Sequence, residues 1–246
     1  MSTRTGVLSY IGFPANVAPW DNPDIRLAFS LAIDREAIAE RIYEGTASPA
    51  TGVVPTLAPG ALAGVCDACE YDPVRAKELF DAAGGVPGNS IVVYDIADDG
   101  MEALEPILNS WTEVFGIEIE VRSFEFGQFL EETAPGNAVG PFELGWAWDY
   151  PSGYSFLSPL FESTSDVNNL GWSDPAVDDL LRQAREASSE EEALEFLGEA
   201  QRLIEAAVPI APVTFIDEVG VHSDDIENVI VDATGVWRLE LVEPAS

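Results

Sequence analysis

The stretch that decides the fold runs from residue 91 to residue 122. It contains two strand-like runs, 91–94 (IVVY) and 117–122 (IEIEVR), on either side of a helical window over residues 101–115 that Gly116 ends. The second run alternates apolar and polar residues, which is typical of a strand. Because two strands joined by a helical crossover are parallel, with a right-handed connection, this stretch predicts an α/β core. Pro106 lies inside the window and predicts either a later helix start or a kink.

Helix and strand signals continue on both sides of this unit. Upstream, Asn22 followed by Pro23 predicts a helix start, and Asp34 predicts a second helical segment that ends at Gly45. Residues 46–70 form an unusually long connection for a compact domain, and such loops tend to line sites. The remaining predicted elements are helices at 72–84, 127–133, 175–187 and 190–207, a buried strand at 142–148, and tail strands at 210–216, 219–222, 229–231 and 236–241.

The charge of the chain excludes several kinds of partner. Its 246 residues include 44 Asp and Glu against 11 Lys and Arg, a formal net charge of −33, and Lys77 is the only lysine. Nucleic acids and anionic lipid surfaces require clustered basic residues, so we expect neither as a partner. Two interpretations of this acidic surface stay open. It either suits high salt, where counterions screen its self-repulsion, or it is an acidic surface with no relation to salt. With 47% hydrophobic residues the chain nevertheless has enough apolar surface for a sizeable core.

Export and membrane signals are missing from the printed sequence. No run approaches the roughly 18 apolar residues that span a bilayer. The first six residues, MSTRTG, lack an apolar signal core. We therefore expect neither a transmembrane segment nor a secretion signal within this chain.

Two cysteines, Cys66 and Cys69, form one C-x-x-C motif that allows three interpretations. A structural metal site would need a second pair of ligands, but the chain has one histidine and no further cysteine. A thioredoxin-like redox motif should open a helix after a buried strand, whereas residues 59–65 indicate a loop. A small disulfide that closes this loop is favoured over the other two, and it would imply an oxidising compartment.

The usual catalytic motifs are absent from the sequence. The sole histidine, His222, lies next to Ser223, where a solvated strand end is the favoured interpretation. We find no nucleophile elbow, dinucleotide-binding glycine motif, phosphate-binding loop or H-E-x-x-H zinc motif. Carboxylate pairs such as Asp178 and Asp179 are expected by chance in so acidic a chain. We predict no catalytic residues, no metal site and no cofactor, although a glycosidase pair could be set by geometry alone.

The most informative polar residue is Asp149, at the carboxyl end of the predicted strand 142–148. It lies among Trp146, Trp148 and Tyr150. Open α/β sheets place their ligands at this end of their strands. Apolar walls around one carboxylate suit an organic cation or an amine. The alternative interpretation is a buried strand followed by an aspartate that caps the next helix.

Several segments together resemble the C-terminal half of the extracytoplasmic substrate-binding proteins of ABC importers, in the class called solute-binding protein family 5. Each segment is weak evidence alone, but their order and spacing are specific. One departure is Ser152-Gly153, where the family commonly has Asp-Pro. The matching segments are 25–36 (IRLAFSLAIDRE), 71–80 (YDPVRAKELF), 116–121 (GIEIEV), 148–151 (WDYP) and 168–175 (NNLGWSDP).

The resemblance implies one lobe of a two-lobed, type II periplasmic-binding-protein-like receptor. We expect residues 1–19 to be a hinge-side strand, 20–210 the C-terminal α/β lobe, and 211–246 return strands toward an N-terminal lobe missing from this chain. The resemblance adds Asn168 to the expected ligand-binding residues. A nickel role, known in some relatives, is disfavoured by the single histidine.

The implied location is extracytoplasmic, with the full-length protein either in the periplasm or anchored at the cell surface as a lipoprotein. The receptor would bind a peptide or another small polar solute, deliver it to an ABC importer permease, and be monomeric. The competing interpretation is an extracellular carbohydrate-binding or hydrolytic domain with an acidic and aromatic pocket. A further alternative is a lobe that stands alone as an interaction module.

Added salt should raise the melting temperature of the chain. The folded state concentrates the repulsion that the formal charge of −33 creates, and the expanded chain relieves it. Screening within about 10 Å at roughly 0.1 M salt reduces that difference. Thermal melts followed by circular dichroism at low and at molar sodium chloride test this, and a flat or falling melting temperature would contradict it.

Overall fold

A computed structural model describes residues 2–97, 102–232 and 235–245 of the chain. Three short 3-10 helices, at Asp67–Cys69, Pro87–Asn89 and Leu239–Leu241, accompany the longer elements. The described strands are β1 (Ser2–Gly12), β2 (Ala47–Pro49), β3 (Ser90–Ile96), β4 (Glu118–Phe124), β5 (Phe142–Ala147), β6 (Ile210–Val219), β7 (Ile226–Glu227) and β8 (Glu243–Pro244). The described helices are α1 (Pro23–Leu31), α2 (Arg35–Arg41), α3 (Pro73–Ala82), α4 (Leu104–Phe115), α5 (Phe126–Glu132), α6 (Tyr154–Phe161), α7 (Pro175–Glu186) and α8 (Glu190–Ala207).

A mixed six-stranded sheet with the order β2-β6-β1-β5-β3-β4 forms the centre of the fold. Strands β3 and β4 are parallel, with Ile91 opposite Ile119 and α4 as their crossover helix. The predicted β–α–β unit and the α/β class are therefore confirmed. Strand β1 runs antiparallel to both of its neighbours, β5 and β6.

Strands β1 and β6 continue beyond the end of β5. The last pairing of β1 with β5 joins Val7 to Ala147, whereas β1 and β6 remain paired as far as Ser2 and Val219. The register shifts between Arg4 and Val7. A two-stranded extension, formed by residues 2–4 and 217–219, thus leaves the sheet at the carboxyl end of β5. That residues 1–19 and 211–246 cross a hinge stays a prediction.

The core lies on both faces of the sheet because side chains alternate along its strands. In β1, Leu8 and Tyr10 belong to one apolar cluster and Ile11 to the other. One cluster is built around Phe29, whose ring packs on Trp20 and Trp111. The helices behind that cluster are α1, α3 and α4, and those behind the other are α6, α7 and α8.

The helix boundaries follow the predicted capping signals closely. Asn22, Asp34 and Asp72 each accept a backbone hydrogen bond at the start of a helix. Of the two possibilities for Pro106, the later start is found, since α4 begins at Leu104. The predicted start of that window, Met101, lies outside the described residues.

The tail strands were mostly predicted wrongly. β6 confirms the strand at 210–216, but residues 220–222 form no strand and residues 239–241 form a 3-10 helix. Val231 makes only an isolated bridge, to Trp237. A strand requires a paired neighbour and a packed face, but the described tail exposes most of its apolar residues, with Val221 at 91%, although Val231 is buried.

A buried arginine joins helices from the two layers. Arg26 of α1 donates from Nε to the carbonyl oxygen of Val208 (2.9 Å) and from Nη2 to that of Ala207 (2.6 Å). Its Nη1 donates to the carbonyl oxygen of Trp20 (2.6 Å). The first two carbonyls end α8, where no intrahelical donor is available. Burial lowers the pKa of Arg26 to about 10, so the guanidinium stays charged at neutral pH.

Replacing this guanidinium should destabilise the fold. Arg26→Met keeps the apolar stem but leaves three carbonyl groups without their donors, and we expect the free energy of unfolding to fall by about 3 kcal/mol. Urea unfolding measures the change. The control is Arg41→Met, at an exposed position of α2, which should cost less than about 1 kcal/mol. Equal losses in both variants would contradict the role of Arg26.

Candidate functional site

The carboxyl end of β5 is packed against the base of the two-stranded extension. The buried ring of Trp148 covers Gly6, where a Cβ atom would lie 2.2 Å from the ring. The backbone N–H of Trp148 donates to the Gly6 carbonyl oxygen (3.0 Å). Gly6 falls within the register shift of β1, so the irregular strand and the missing side chain together make room for the indole.

Two hydrogen bonds to Ser155 hold the turn that follows β5. The half-buried Trp146 donates from its indole Nε1 to the Ser155 carbonyl oxygen (2.8 Å). The backbone N–H of Asp149 donates to the Ser155 hydroxyl (3.0 Å). Ser155 lies in the first turn of α6, so the turn and the helix form one unit. Sequence reasoning did not single out Ser155, because only its position opposite Asp149 makes it important.

The carboxylate of Asp149 is exposed and is not used by the fold. Among the residues that the structure describes, no hydrogen bond to this carboxylate is found. The N-cap of α6 is Gly153, and the side chain that accepts at the start of the helix is that of Ser152, whose hydroxyl accepts from the backbone N–H of Tyr154 (3.2 Å). The geometry therefore disfavours the capping alternative. Tyr150 is 47% exposed beside it. The pKa of Tyr150 is raised by partial burial first, and then by the neighbouring Tyr154 and Asp149.

Asn168 lies apart from these residues, beyond the other end of α6. Its side-chain amide donates to the carbonyl oxygen of Trp172 (3.0 Å), and its oxygen accepts from the backbone N–H of Leu170 (3.2 Å). Leu170 packs near Gly12, and Gly12 pairs with the first residue of β5. Asp149 instead follows the last residue of β5, at the opposite end of the strand. The eight residues of α6 span about 12 Å. Asn168 thus holds its own loop, and a ligand role for it stays a prediction.

Trp146, Trp148, Asp149 and Tyr150 are brought together at one edge of the sheet. They place an exposed carboxylate beside an exposed phenol, on a base formed by a buried indole. A carboxylate accepts charge-assisted hydrogen bonds from an ammonium group, and aromatic rings attract the same cation. An exposed carboxylate among aromatic side chains therefore has the chemistry to bind an amine.

The second polar cluster lies around the predicted cysteine pair. Cys66 and Cys69 are joined by a disulfide bond, and a carboxylate oxygen of Glu205 lies within 4.8 Å of both sulfur atoms. Because both sulfur atoms belong to the disulfide, neither is a thiolate ligand for a metal ion in this form. The long predicted loop contributes the backbone N–H of Val53, which donates to Glu205 (2.7 Å).

Sequence reasoning missed Glu205. One signal was available, since Leu197, Gln201 and Glu205 recur every four residues along α8 and therefore share its buried face. Burial raises the pKa of Glu205 to about 7, against the opposing effects of the Val53 hydrogen bond, the neighbouring Gln201 amide and the charge of Arg35. A carboxyl group on such a face is an informative exception to the apolar pattern.

Solved structures of other proteins share this fold. The chain matches the periplasmic binding protein DppA from Helicobacter pylori, solved in complex with the peptide STSA, with a TM-score of 0.87 and 24% identity over 99% of this chain and 48% of that one. It also matches the protein AppA from Clostridium difficile, with a TM-score of 0.88 and 17% identity over 100% and 52% of the two chains. The fold is that of the type II periplasmic peptide-binding proteins.

The particular family follows from the sequence. Residues 1–168 match the bacterial extracellular solute-binding proteins, family 5 Middle, and the chain belongs to this family. It is similar to the glutathione-binding protein GsiB of Escherichia coli (strain K12), at 30% identity over 96% of this chain and 46% of that protein. It is also similar to di/tripeptide-binding protein 1 of Pseudomonas aeruginosa, at 26% identity over 84% and 39%. The chain therefore spans less than half the length of these relatives.

No helix among the described residues is long and apolar enough to cross a membrane. The family is one of solute-binding proteins rather than enzymes, which agrees with the prediction that the chain is not an enzyme.

Glu205 should make stability depend on pH near neutrality. Its pKa is raised from 4.5 to about 7 in the folded chain, so its contribution is present below pH 4.5 and is lost as the pH rises through 7. Glu205→Gln lacks this titrating group. When the pH is raised from 5 to 8, the free energy of unfolding of the variant should therefore increase by about 2–3 kcal/mol relative to that of wild type. Urea unfolding at both values measures the gain.

The matched control for this prediction is Glu199→Gln, on the exposed face of the same helix. Its difference from wild type should stay constant between pH 5 and pH 8. A constant difference for Glu205→Gln as well would show that burial does not hold a proton on that carboxyl group.

Proposed function

We propose that this chain is the C-terminal lobe of a two-lobed extracytoplasmic receptor that binds a short peptide and delivers it to an ABC importer. Family membership supports a solute-binding role, and the names of the similar proteins include di- and tripeptides and glutathione. Since the chain spans 39% and 46% of these two relatives, the activity of the whole protein depends on more than this lobe.

The observation that carries the proposal is the exposed carboxylate of Asp149 at the carboxyl end of β5, for which the described residues supply no hydrogen bond. It lies beside the exposed Tyr150, and Trp148 and Ser155 hold its backbone in place. The α-amino group of a peptide is an ammonium that needs such an acceptor. Enclosure between two lobes would exclude water and strengthen that hydrogen bond.

The two-stranded extension supports a second lobe on the same side. Residues 2–4 and 217–219 extend past the end of β5, where Trp148 and Asp149 lie. Apolar residues follow the extension, and Val221 and Leu239 are 91% and 70% exposed. A second lobe packed there would bury these side chains and form the other wall of the site. Closure of the two lobes around the peptide would be the signal that a permease recognises.

The finer parts of the proposal concern location and assembly. We place the complete receptor in the periplasm or, as a lipoprotein, on the cell surface, where an oxidising environment would keep Cys66 and Cys69 joined. We expect it to be a monomer that meets its permease when closed. The family description supports the extracellular location.

Binding measurements on two forms of the protein test this function. Isothermal titration with di- and tripeptides should detect tight binding to the two-lobed protein and binding weaker than micromolar to the 246-residue chain, which lacks the opposing wall. Oligosaccharides and a hydrolysis screen form the comparison arm. Submicromolar binding by the chain alone would overturn the two-lobe requirement, and turnover of any substrate would overturn the transport function.

Replacing Asp149 should reduce peptide affinity without unfolding the protein. Asp149→Asn removes the charge but keeps the shape, and a charge-assisted hydrogen bond is worth about 1.5–3 kcal/mol. We therefore expect peptide binding by the two-lobed protein to weaken by about ten- to a hundredfold. Titration calorimetry and a thermal melt on the same sample measure affinity and stability.

The control is Asp166→Asn, another exposed aspartate of the same lobe, in the loop after α6. It should leave peptide affinity and melting temperature unchanged. If Asp149→Asn lowers the melting temperature but leaves the affinity for peptides with a free amino terminus intact, Asp149 does not bind the ammonium group.

A further inference from the structure

The disulfide lies at the wall of an open cavity of about 490 Å³, whose lining includes none of Trp146, Trp148, Asp149 and Tyr150. Cys66 is buried, and Cys69 is the more exposed of the pair. Of the two cysteines, Cys69 is therefore the one more open to an incoming thiol. The lining residues include Cys66, Cys69, Arg35, Thr51, Glu70 and Tyr71.

The segment that carries the disulfide is held by contacts that do not depend on the S–S bond. Ser30 Oγ donates to the carbonyl oxygen of Ala68 (2.7 Å), and Arg35 Nη1 donates to that of Cys69 (3.2 Å). Arg35 also donates from Nε to the carbonyl oxygen of Pro212 in β6 (2.6 Å). With only two residues between the cysteines, the ring itself stabilises the fold little. Cleavage of the bond would therefore leave the segment in place.

A buried acidic side chain, that of Glu205, lies beside this disulfide. A disulfide with a purely structural role does not need such a neighbour. A carboxylate oxygen lies within 4.8 Å of both sulfur atoms, and the residue is 5% exposed. The backbone N–H of Val53 fixes its orientation from the opposite loop. Burial raises its pKa to about 7, so a proton is available at neutral pH. The charge of Arg35 acts on Glu205, and Arg35 in turn feels the charges of both Glu205 and Glu70.

We propose that Cys66–Cys69 is a redox-active disulfide that exchanges with an external dithiol, with Glu205 as the acid that protonates the leaving sulfur of Cys66. The inference does not depend on the solute that the receptor binds, because it concerns a separate cavity.

The exchange balances as two successive displacements. A thiolate of the dithiol attacks Cys69 Sγ, a new S–S bond forms, the Cys66–Cys69 bond breaks, and Cys66 leaves with the electron pair and takes a proton from Glu205. The second thiolate of the dithiol then attacks its own sulfur in the mixed disulfide and releases Cys69, which takes a proton from water. Two electrons pass from the dithiol, which is oxidised, to the two cysteines, which are reduced. Glu205 regains its proton from solvent.

The kinetics of reduction by dithiothreitol test the proposal on the full 246-residue chain. Samples taken at pH 7 are alkylated and their intact mass is measured. For wild type we expect a rate proportional to dithiothreitol concentration, with an unchanged circular dichroism spectrum after reduction. Glu205→Gln should be reduced at least about tenfold more slowly, and Glu199→Gln at the wild-type rate. An equal rate for Glu205→Gln, or a wild-type rate independent of dithiothreitol, would overturn the proposal.

A second measurement needs no variant. Brief reaction with 2-mercaptoethanol, acid quenching and peptide mapping locate the mixed disulfide. The adduct should be on Cys69, with Cys66 free to be alkylated. An adduct found mainly on Cys66, or two cysteines that react only in denaturant, would show that the bond is a structural staple.

Discussion

The structure depends on the pairing of β1 with β6, which joins the two ends of the chain. Leu8 lies opposite Phe215, and the buried hydroxyls of Ser9 and Thr214 form a hydrogen bond of 2.7 Å between the strands. The chain between these two strands forms a long loop. Its closure costs conformational entropy, but this cost grows only slowly with loop length, and the apolar surface that two central strands bury offsets it. Every other strand of the six-stranded sheet adds to this pair, since β2 pairs with β6, and β5, β3 and β4 follow in order from β1. Strands β7 and β8 form a separate two-stranded sheet.

The acidic chain buries two of its few positive charges beside the start of β6. Arg26 and Arg35 are 4% and 2% exposed, and both donate mainly to backbone carbonyl oxygens rather than to carboxylates. Their acceptors include Val208 and Pro212, on either side of the start of β6. Burial lowers the pKa of Arg35 to about 9, which still leaves it charged at neutral pH. These guanidinium groups attach α1 and α2 to the start of β6.

The two polar sites have opposite physical designs. Asp149 is exposed, and the fold supplies only its position, so its charge remains free for a ligand at an open edge. Glu205 is buried between α8, the loop at Val53 and the disulfide, and the fold supplies an environment that favours its neutral form. The first design suits recognition of a cation once a second surface excludes water. The second suits the transfer of a proton to a neighbouring atom.

The sequence by itself determined the α/β class, the central β–α–β unit, most helix boundaries and the carboxylate at the end of β5. These depend on contacts within a few residues, as when Ser189 accepts from the backbone N–H of Glu192 at the start of α8. Only the tertiary structure decided which distant residues meet. Gly6 under Trp148, Glu205 beside Cys66, and the engagement of Asn168 by its own loop each follow from packing. The tail strands failed for the same reason, because a strand is defined by a partner that its own sequence does not contain.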